Sequence, residues 1–486
     1  MIRITLLWLF VAFLAVYSWR DWYKACCGLI LLMAVVEHPD MPKSMLGIQG
    51  LNPWNILLAA ILPAWLASRR LERLRWDMPT HVSALLLAFL AIIVIGVLRL
   101  LHDPGELIQA ASQGNPGASD DVAGIWSEKL INSVKWVIPG LLLYDGCRDS
   151  TRFKWGAAAV LSVYLLLAVQ VIRWMPLDAI TSGAELTERS LKIILNEIGF
   201  HRVNLAVMLA GGAWAFIAAS TLATSRTQKL LAIAASLTVI AGIALTGGRA
   251  GYSTWVLVGL VFALLRWKKY LLLAPLLALM VVAFVPAVAE RFTAGFSSDS
   301  YDSNPLVQRE VAQTEGEIDA YTVTAGRNVA WPHVIEKIGE APLLGYGREA
   351  MLNTGITAML WDQYRENFPH PHNAYLQLLL DNGLLGTVPI LLLFGIILRN
   401  AFSLFRDSRN PIFVAAGGIA LALVLALMIG GISSQTFYPR EGAMGMWCAI
   451  GLMLRVYVDR ARILAAVVKS PAPRSAMVRN LWPRTA

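Results

Sequence analysis

Long apolar runs alternate with short polar connections along almost the whole chain. A helix that crosses a membrane needs roughly 20 mostly apolar residues. Runs of suitable length predict spans near 4–18, 22–36, 54–68, 80–101, 131–145, 155–173, 204–223, 228–246, 251–266, 270–288, 384–398, 411–430 and 442–457. The pattern therefore predicts an all-α, polytopic membrane protein with about 12–13 transmembrane helices. The number of transmembrane helices depends on whether the first, short segment crosses the membrane completely.

Composition supports this class. Of 486 residues, 57% are hydrophobic and 15% are charged, whereas a soluble protein carries about 25% charged residues. These values exclude an ordinary soluble enzyme and a disordered or fibrous chain. The formal charge of +9 would suggest a nucleic-acid partner in a soluble protein. In a membrane protein it is expected at cytoplasmic loops, so no nucleic-acid partner is predicted. The four cysteines have no metal-ligand or disulfide spacing.

Basic residues predict the orientation of the helices. They cluster at 69–75, 148–154, 226–229, 266–269 and 399–409, and again in the tail. Counting the predicted spans from residue 54 onward puts every cluster on one side of the membrane. Cytoplasmic loops carry the excess of Lys and Arg, so this side and the C-terminus are predicted to be cytoplasmic. The N-terminal apolar run has no convincing signal-peptide cleavage site, and we expect it to be retained.

The spans and loops predict four parts of the chain. They are an N-terminal transmembrane bundle over 1–288, a large loop on the periplasmic side over 289–371, C-terminal transmembrane helices over 372–457 and a basic cytoplasmic tail over 458–486. The loop holds twelve acidic and six basic residues, and loops of this length usually carry function or are disordered. Apolar spacing predicts an ordered helix within 319–351. The Ser- and Asp-rich stretch 296–304 is expected to be flexible.

The middles of the spans are almost free of ionisable side chains. Transporters usually keep such groups at membrane depth as relays or coordination sites. The alternative interpretation is a flippase or transporter of lipid-linked oligosaccharides. The lack of ionisable groups at membrane depth counts against it.

The first motif on the periplasmic side is T-G-G-R-A-G at 246–251, which places Arg249 between two helices. Glycines allow a tight turn and close approach of a ligand, and the planar guanidinium suits phosphate oxygens. Taken alone, the motif favours the simpler interpretation, in which Arg249 is a snorkelling arginine that anchors a short turn.

Two further motifs belong to the loop and its return to the membrane. Arg327 opens G-R-N-V-A-W at 326–331, which leads to the turn P-L-L-G-Y-G at 342–347. His372 lies in H-P-H-N-A-Y-L at 370–376, where a histidine can take a proton from a hydroxyl. The alternatives are a surface ion pair for the arginine and a helix cap for the histidine. The two histidines, His370 and His372, are too few ligands for a metal ion, so no metal is expected.

Two arginines and one histidine on one face suit a single chemistry. The arginines would hold an anionic lipid diphosphate as it leaves, and the histidine would deprotonate the attacking sugar hydroxyl. This hypothesis needs no metal and no cofactor.

In their order, the three motifs resemble the O-antigen ligase superfamily, which includes O-antigen and exopolysaccharide polymerases. The resemblance implies an inverting, metal-independent glycosyltransferase in the bacterial inner membrane, surrounded by membrane lipids and active on the periplasmic face. Its donor would be an undecaprenyl-diphosphate-linked glycan and its acceptor a glycan or the lipid A core. The sequence leaves ligase and polymerase open.

The resemblance also assigns roles to single residues. Arg249 and Arg327 would contact the diphosphate, and His372, followed by Asn373, would be the base. Asn204 in H-R-V-N-L-A resembles a further motif. Four residues are lower-ranked contacts to the diphosphate or the glycan: Arg202, Asn204, Arg348 and Asn373. Gly248 departs from the family, which often has Ser before the arginine.

Overall fold

The computed structural model describes residues 2–45, 48–112, 121–176, 178, 181–273, 286–293, 324, 326–365, 367–433 and 436–469. The helices in this part of the chain are α1 (Ile2–Tyr17), α2 (Trp22–Leu31), α3 (Pro53–Leu71), α4 (Thr80–His102), α5 (Gly105–Ser112), α6 (Val122–Ile125), α7 (Asn132–Lys135), α8 (Ile138–Gly146), α9 (Ser150–Trp174), α10 (Gly183–Ile193), α11 (Arg202–Ala219), α12 (Arg226–Leu245), α13 (Arg249–Leu265), α14 (Pro286–Thr293), α15 (Arg327–Glu340), α16 (Ala350–Asn353), α17 (Ile356–Tyr364), α18 (Ala374–Phe405), α19 (Pro411–Gly430) and α20 (Met444–Lys469). Two-residue strands β1 (Ser44–Met45) and β2 (Ile48–Gln49) form one antiparallel pair.

Six of the described helices are long and apolar enough to cross a membrane: α4, α9, α11 with its following turn, α12, α18 and α19. The predicted class is therefore confirmed: this is an all-α, polytopic membrane protein. Shorter apolar helices include α1 and α13. The run 270–288 lies mostly outside the described residues, as does 296–304, and the total of 12–13 spans stays a prediction.

Three predicted spans differ in detail from the observed helices. The span at 131–145 is broken at Trp136 and Val137, because Pro139 has no N–H and starts a new helix, α8. The span at 384–398 is part of the longer α18. Helix α20 continues past 457 to Lys469, so the first part of the predicted tail is helical.

Helix α19 forms the centre of the bundle, and 83% of its apolar stretch is buried. It packs against α11, α13, α18 and α20. Gly211 of α11 faces Leu423 and Ala426 of α19, and Gly417 of α19 faces the backbone of α18. These small residues let the helices approach closely, as is usual between membrane helices.

We call the end of the bundle at which α4, α9, α12 and α19 finish the loop end, and the opposite end the basic end. At the basic end, the Arg455 side chain is fully buried and binds both carboxylate oxygens of Asp77, at 2.6 and 2.8 Å. Asp77 also accepts the hydroxyl of Tyr144 at 2.9 Å and pairs with Arg462 at 2.7 Å. A buried charge must be paired in this way, so the network ties α20 to α8 and to the α3–α4 connection.

At the loop end, α15, α16 and α17 share a small apolar core of their own. It includes Ala330, Val334, Met351, Leu360 and Phe368, together with Leu380 of α18. Helix α15 lies within the segment where apolar spacing predicts a helix. The core makes this part of the loop an ordered layer over the end of the bundle.

Helix α18 is kinked at Gly383, whose backbone is non-helical (φ 58°, ψ −166°). The turn 342–347 hydrogen-bonds to both sides of the kink. The N–H groups of Tyr346 and Gly347 donate to the carbonyls of Leu380 and Asp381, at 2.9 and 2.7 Å. On the other side, the carbonyls of Pro342 and Leu343 accept the N–H groups of 384 and 385, at 2.8 and 3.1 Å. The turn thus pairs backbone groups that the kink would leave open.

Side chains stabilise the junction between the turn 342–347 and the kink at Gly383. The guanidinium of Arg99, in the last turn of α4, donates to the carbonyls of Leu344 and Gly345, both at 2.6 Å. The carboxylate of Asp381 accepts the hydroxyl of Tyr438 at 2.9 Å and the N–H of Ala350 at 3.1 Å. The junction therefore joins α4, the loop and α18.

Replacing Gly383 by Ala should destabilise the protein by about 2 kcal/mol or more, because its backbone region is essentially restricted to glycine and a Cβ would overlap the carbonyl of Leu343. The melting temperature of purified protein in detergent measures this effect. Gly395→Ala, in the same helix with open space around its Cβ position, is the matched control and should change little. Equal melting temperatures for the two variants would contradict this role of the kink.

Candidate active site

Three of the predicted site arginines are each the first residue of a helix at the loop end. Arg202 begins α11, Arg249 begins α13 and Arg327 begins α15. The first turn of a helix has free N–H groups and the positive end of the helix dipole, and both favour anions. A guanidinium at this position adds a full positive charge to a backbone that already suits phosphate.

The T-G-G-R-A-G turn is shaped by its glycines. Gly247 has φ 65°, in the left-handed region that favours glycine. A Cβ on Gly248 would lie 3.1 Å from the Cβ of Ala206 in α11. A side chain at position 248 would therefore crowd α11.

Arg202 lies beside the same turn. The Nη1 of Arg202 donates to the hydroxyl of Ser190 in α10 at 3.3 Å. The same Nη1 lies 3.3 Å from the position that a Cβ on Gly247 would occupy. The structure thus brings Arg202 next to the Arg249 turn. Asn204 lies half-buried in the first turn of the same helix.

Arg327 and Arg249 are close enough to affect each other. Burial, followed by the positive charge of Arg249, lowers the pKa of Arg327 to about 10. The Nε of Arg327 is buried and makes no hydrogen bond within the described part of the chain. Two neighbouring cations repel each other, and an anion bound between them would relieve the repulsion.

His372 belongs to the same site through the helix that carries Arg327. One turn along α15, the indole N–H of Trp331 donates to the carbonyl of Pro371 at 2.9 Å. The ring of His372 lies 4.2 Å from that of His370, between centroids. The G-R-N-V-A-W and H-P-H-N motifs therefore meet in space, with Trp331 as the direct link.

The surroundings of His372 keep its ring neutral. Burial is the largest cause, and His370, Arg327 and His201 add to it, lowering the pKa of His372 to about 2. A neutral imidazole can accept a proton, but the nearby positive charge opposes the transfer. An anion bound at Arg327 would weaken that opposition.

The other two predicted contacts have structural partners. The side-chain oxygen of Asn373 caps α18, accepting the N–H groups of Tyr375 and Leu376 at 3.0 and 3.2 Å. Arg348 is buried, with its Cζ 3.4 Å from the centre of the Tyr438 ring, next to the junction at the α18 kink. Both residues thus have packing or capping roles, and their contacts to substrate stay predictions.

Glu349 is a buried acid near the site that the sequence patterns did not single out. Its carboxylate pairs with Lys129 at 3.2 Å and with Arg348 at 3.4 Å. Burial raises the pKa of Glu349, but these two cations lower it to about 2. Lys129 lies in the helical turn Trp126–Ile131 between α6 and α7, far from Glu349 in sequence, so no motif could have indicated the pair.

Within the described residues, no group of three or more His, Cys, Asp or Glu side chains is placed to hold a metal ion. The candidate site contains arginine and histidine side chains, with the arginines at the N-terminal ends of helices.

Fold and site together define a polytopic helical membrane protein with a cationic, histidine-containing site at one end of its bundle. Residues 234–391 match the family model described as O-antigen ligase, and this confirms the resemblance to the O-antigen ligase and polymerase superfamily. The matched segment runs from α12 into α18 and contains Arg249, Arg327 and His372. No curated protein sequence gives a significant match to the chain. The family match supports ligase- or polymerase-type glycosyltransferase activity, with a lipid-linked glycan and an acceptor as substrates in general terms.

His372 should remain neutral at pH 5 in the folded protein, where an ordinary histidine of pKa about 6.5 is mostly protonated. The unfolded chain binds this proton more readily, so the contribution of His372 to stability is complete above pH ~6.5 and declines as the pH falls towards its folded pKa. Nitrogen-15 NMR of histidine-labelled protein in nanodiscs, assigned with His372→Gln, measures the protonation state. The acid-unfolded protein is the control, and a protonated His372 in the folded protein at pH 5 would contradict the prediction.

Proposed function

We propose that the protein transfers a glycan from undecaprenyl diphosphate to a sugar hydroxyl of an acceptor, with inversion at the transferred carbon. The observation that carries this proposal is the meeting of Arg249 and Arg327, each at a helix N-terminus, with the buried neutral His372. Such a site combines an anion-binding surface with a group that accepts a proton.

The arginines bind the diphosphate of the donor. Each offers a planar fork of N–H donors that suits phosphate oxygens, and the positive ends of the α13 and α15 helix dipoles add to the attraction for an anion. As the bond from the sugar to the diphosphate breaks, negative charge grows on the leaving group. Positive groups already in place stabilise that charge without rearranging, so the proposed step uses no metal and no cofactor.

His372 acts as the general base. The acceptor oxygen forms the new bond to the sugar carbon, its proton passes to the imidazole of His372, and the lipid diphosphate leaves from the opposite face. Direct displacement of this kind inverts the carbon. The bound diphosphate offsets the charge of Arg327 and so raises the pKa of His372, which makes the histidine a better base when the donor is present.

Arg202 lies beside the Gly247 turn, and Asn204 lies in the same first turn of α11. We assign them to the second phosphate or the first sugars of the donor. Arg348 and Asn373 rank below them because their side chains already serve the α18 kink and cap.

We place the site on the periplasmic face of the bacterial inner membrane and the C-terminus in the cytoplasm. The basic end of the bundle, with Arg69, Arg148 and Arg462, would then face the cytoplasm, in agreement with the positive-inside rule. A lipid-bound donor reaches the site from the surrounding membrane lipids, and the acceptor is a glycan or the lipid A core.

Arg249→Ala, Arg327→Ala and His372→Ala should each lower glycan transfer by at least about 100-fold, the usual scale for losing a charge-stabilising group or a general base. Purified protein with an undecaprenyl-diphosphate-linked glycan and acceptor measures the rate. Arg365→Ala removes an exposed arginine of the same loop and is the control that should keep activity.

Full activity in all three site variants, with melting temperatures unchanged, would refute the site. Movement of the lipid-linked glycan across proteoliposomes without any change in its linkage would instead support the flippase or transporter alternative.

The two acceptor classes predict different surface glycans in a deletion strain. Loss of a polymerase should leave the acceptor with a single repeat unit, because each repeat is still attached but not extended. Loss of a ligase should leave full-length polymer on the lipid carrier. Gel analysis of surface glycan and of extracted lipid carrier distinguishes them, with a strain complemented by the intact chain as the control. An unchanged glycan profile would count against both.

A further inference from the structure

We propose that His370 is a positioning residue that holds the backbone of His372 in the conformation that directs its ring into the site. The proposal rests on the proposed function of His372 as the base. It gives a separate task to His370, the histidine of H-P-H-N that has no role in the proposed function.

The backbone of His372 is strained. Its φ is 51°, in the left-handed region, which costs a residue with a Cβ about 1–2 kcal/mol. Such strain persists only where the surroundings hold it, and it is common at active sites.

The side chain of His370 provides one such restraint. Its Nδ1 accepts the backbone N–H of His372 at 3.2 Å, closing a short turn across Pro371. The ring of Pro371 fixes its own φ and narrows the choices of the chain. The two imidazoles also lie in contact, tilted by 56° with their centroids 4.2 Å apart. His370 therefore touches both the backbone and the ring of His372.

Separate contacts hold the residues on either side of His372. The carbonyl of Pro371 accepts the Trp331 indole N–H. On the other side, Asn373 caps α18 with its side chain and the N–H of Ala374 donates to the carbonyl of Gly431 at 2.6 Å. These contacts anchor the ends of the turn, and the bond to His370 acts on His372 itself.

The hydrogen bond also defines the protonation of His370. An Nδ1 that accepts an N–H carries no proton, so the neutral ring has its hydrogen on Nε2. Burial is the main cause that lowers the pKa of His370, to about 4, with Arg440, Arg348 and His201 adding to the effect and Glu349 opposing it. At neutral pH the ring therefore stays in the form that can restrain His372.

The test compares His370→Asn with His370→Leu in the full-length protein. Asn and Leu have nearly the same shape, but Asn carries an oxygen that accepts an N–H two residues ahead, as in an Asx turn. We expect Leu to lower kcat at least about tenfold, because small displacements of a reacting group are costly, with the KM for the undecaprenyl-diphosphate-linked glycan within about twofold. Asn should restore most of kcat.

His38→Leu is the matched control outside the site. The Nδ1 of His38 accepts the N–H of Asp40 at 3.1 Å, the same kind of turn in another connection, and its loss should leave kcat unchanged. If His370→Leu does not fold, the same comparison of kcat is made between His370→Ser and His370→Ala, which have smaller side chains. Only Ser keeps a hydrogen-bond acceptor.

Equal kcat for the acceptor and non-acceptor variants, while His372→Ala is inactive, would overturn the role of His370 and leave the proposed function standing. Full activity of His372→Ala would refute the base itself, and with it the positioning role. A loss confined to the non-acceptor variants, at unchanged melting temperature, supports the proposal.

Discussion

The kink of α18 at Gly383 is the constraint on which the loop end depends. A helix that breaks where its backbone is buried must find new partners for its N–H and C=O groups, and the turn 342–347 supplies them. The turn is held in place by Arg99 of α4. Because the loop is docked in this way, α15 lies over the start of α18, and Trp331 can reach the carbonyl of Pro371. A backbone requirement at one residue thus determines where the Arg327 helix meets the His372 segment.

Arg455 and Arg327 have different surroundings at opposite ends of the bundle. At the basic end, Arg455 lies fully buried but is paired with Asp77, and the Arg455 charge and hydrogen bonds, against the effect of burial, lower the pKa of Asp77 below its usual range. At the loop end, Arg327 lies close enough to Arg249 for its pKa to fall. An anion bound near both arginines would reduce their mutual repulsion. This contrast explains why a single net charge says little about partners and the distribution of charge says much more.

Sequence patterns predicted long, uninterrupted helices well. The spans at 80–101 and 411–430 agree closely with α4 and α19, because nothing inside those apolar runs competes with helix formation. Patterns were less reliable where helices bend. Pro139 restarts the helix within the predicted span 131–145, and the more polar first turns of α18 hid its true beginning at Ala374. The motifs around Arg249, Arg327 and His372 were visible as motifs, and the family match covers all three.

By itself, the sequence determined the all-α membrane class and the residue types from which a site could be built, because hydrophobic periodicity and local turn chemistry act over short stretches of chain. Only the tertiary structure decided which of those residues meet. In the sequence, the turn P-L-L-G-Y-G is a separate loop feature, but in the structure it pairs with the Gly383 kink. Lys129 and Glu349 are far apart in sequence, but they form an ion pair. The resemblance names His372 and assigns no role to His370, and only the structure shows the left-handed backbone of His372 and its hydrogen bond to His370. Such contacts depend on how distant helices pack, and short-range patterns carry no record of that packing.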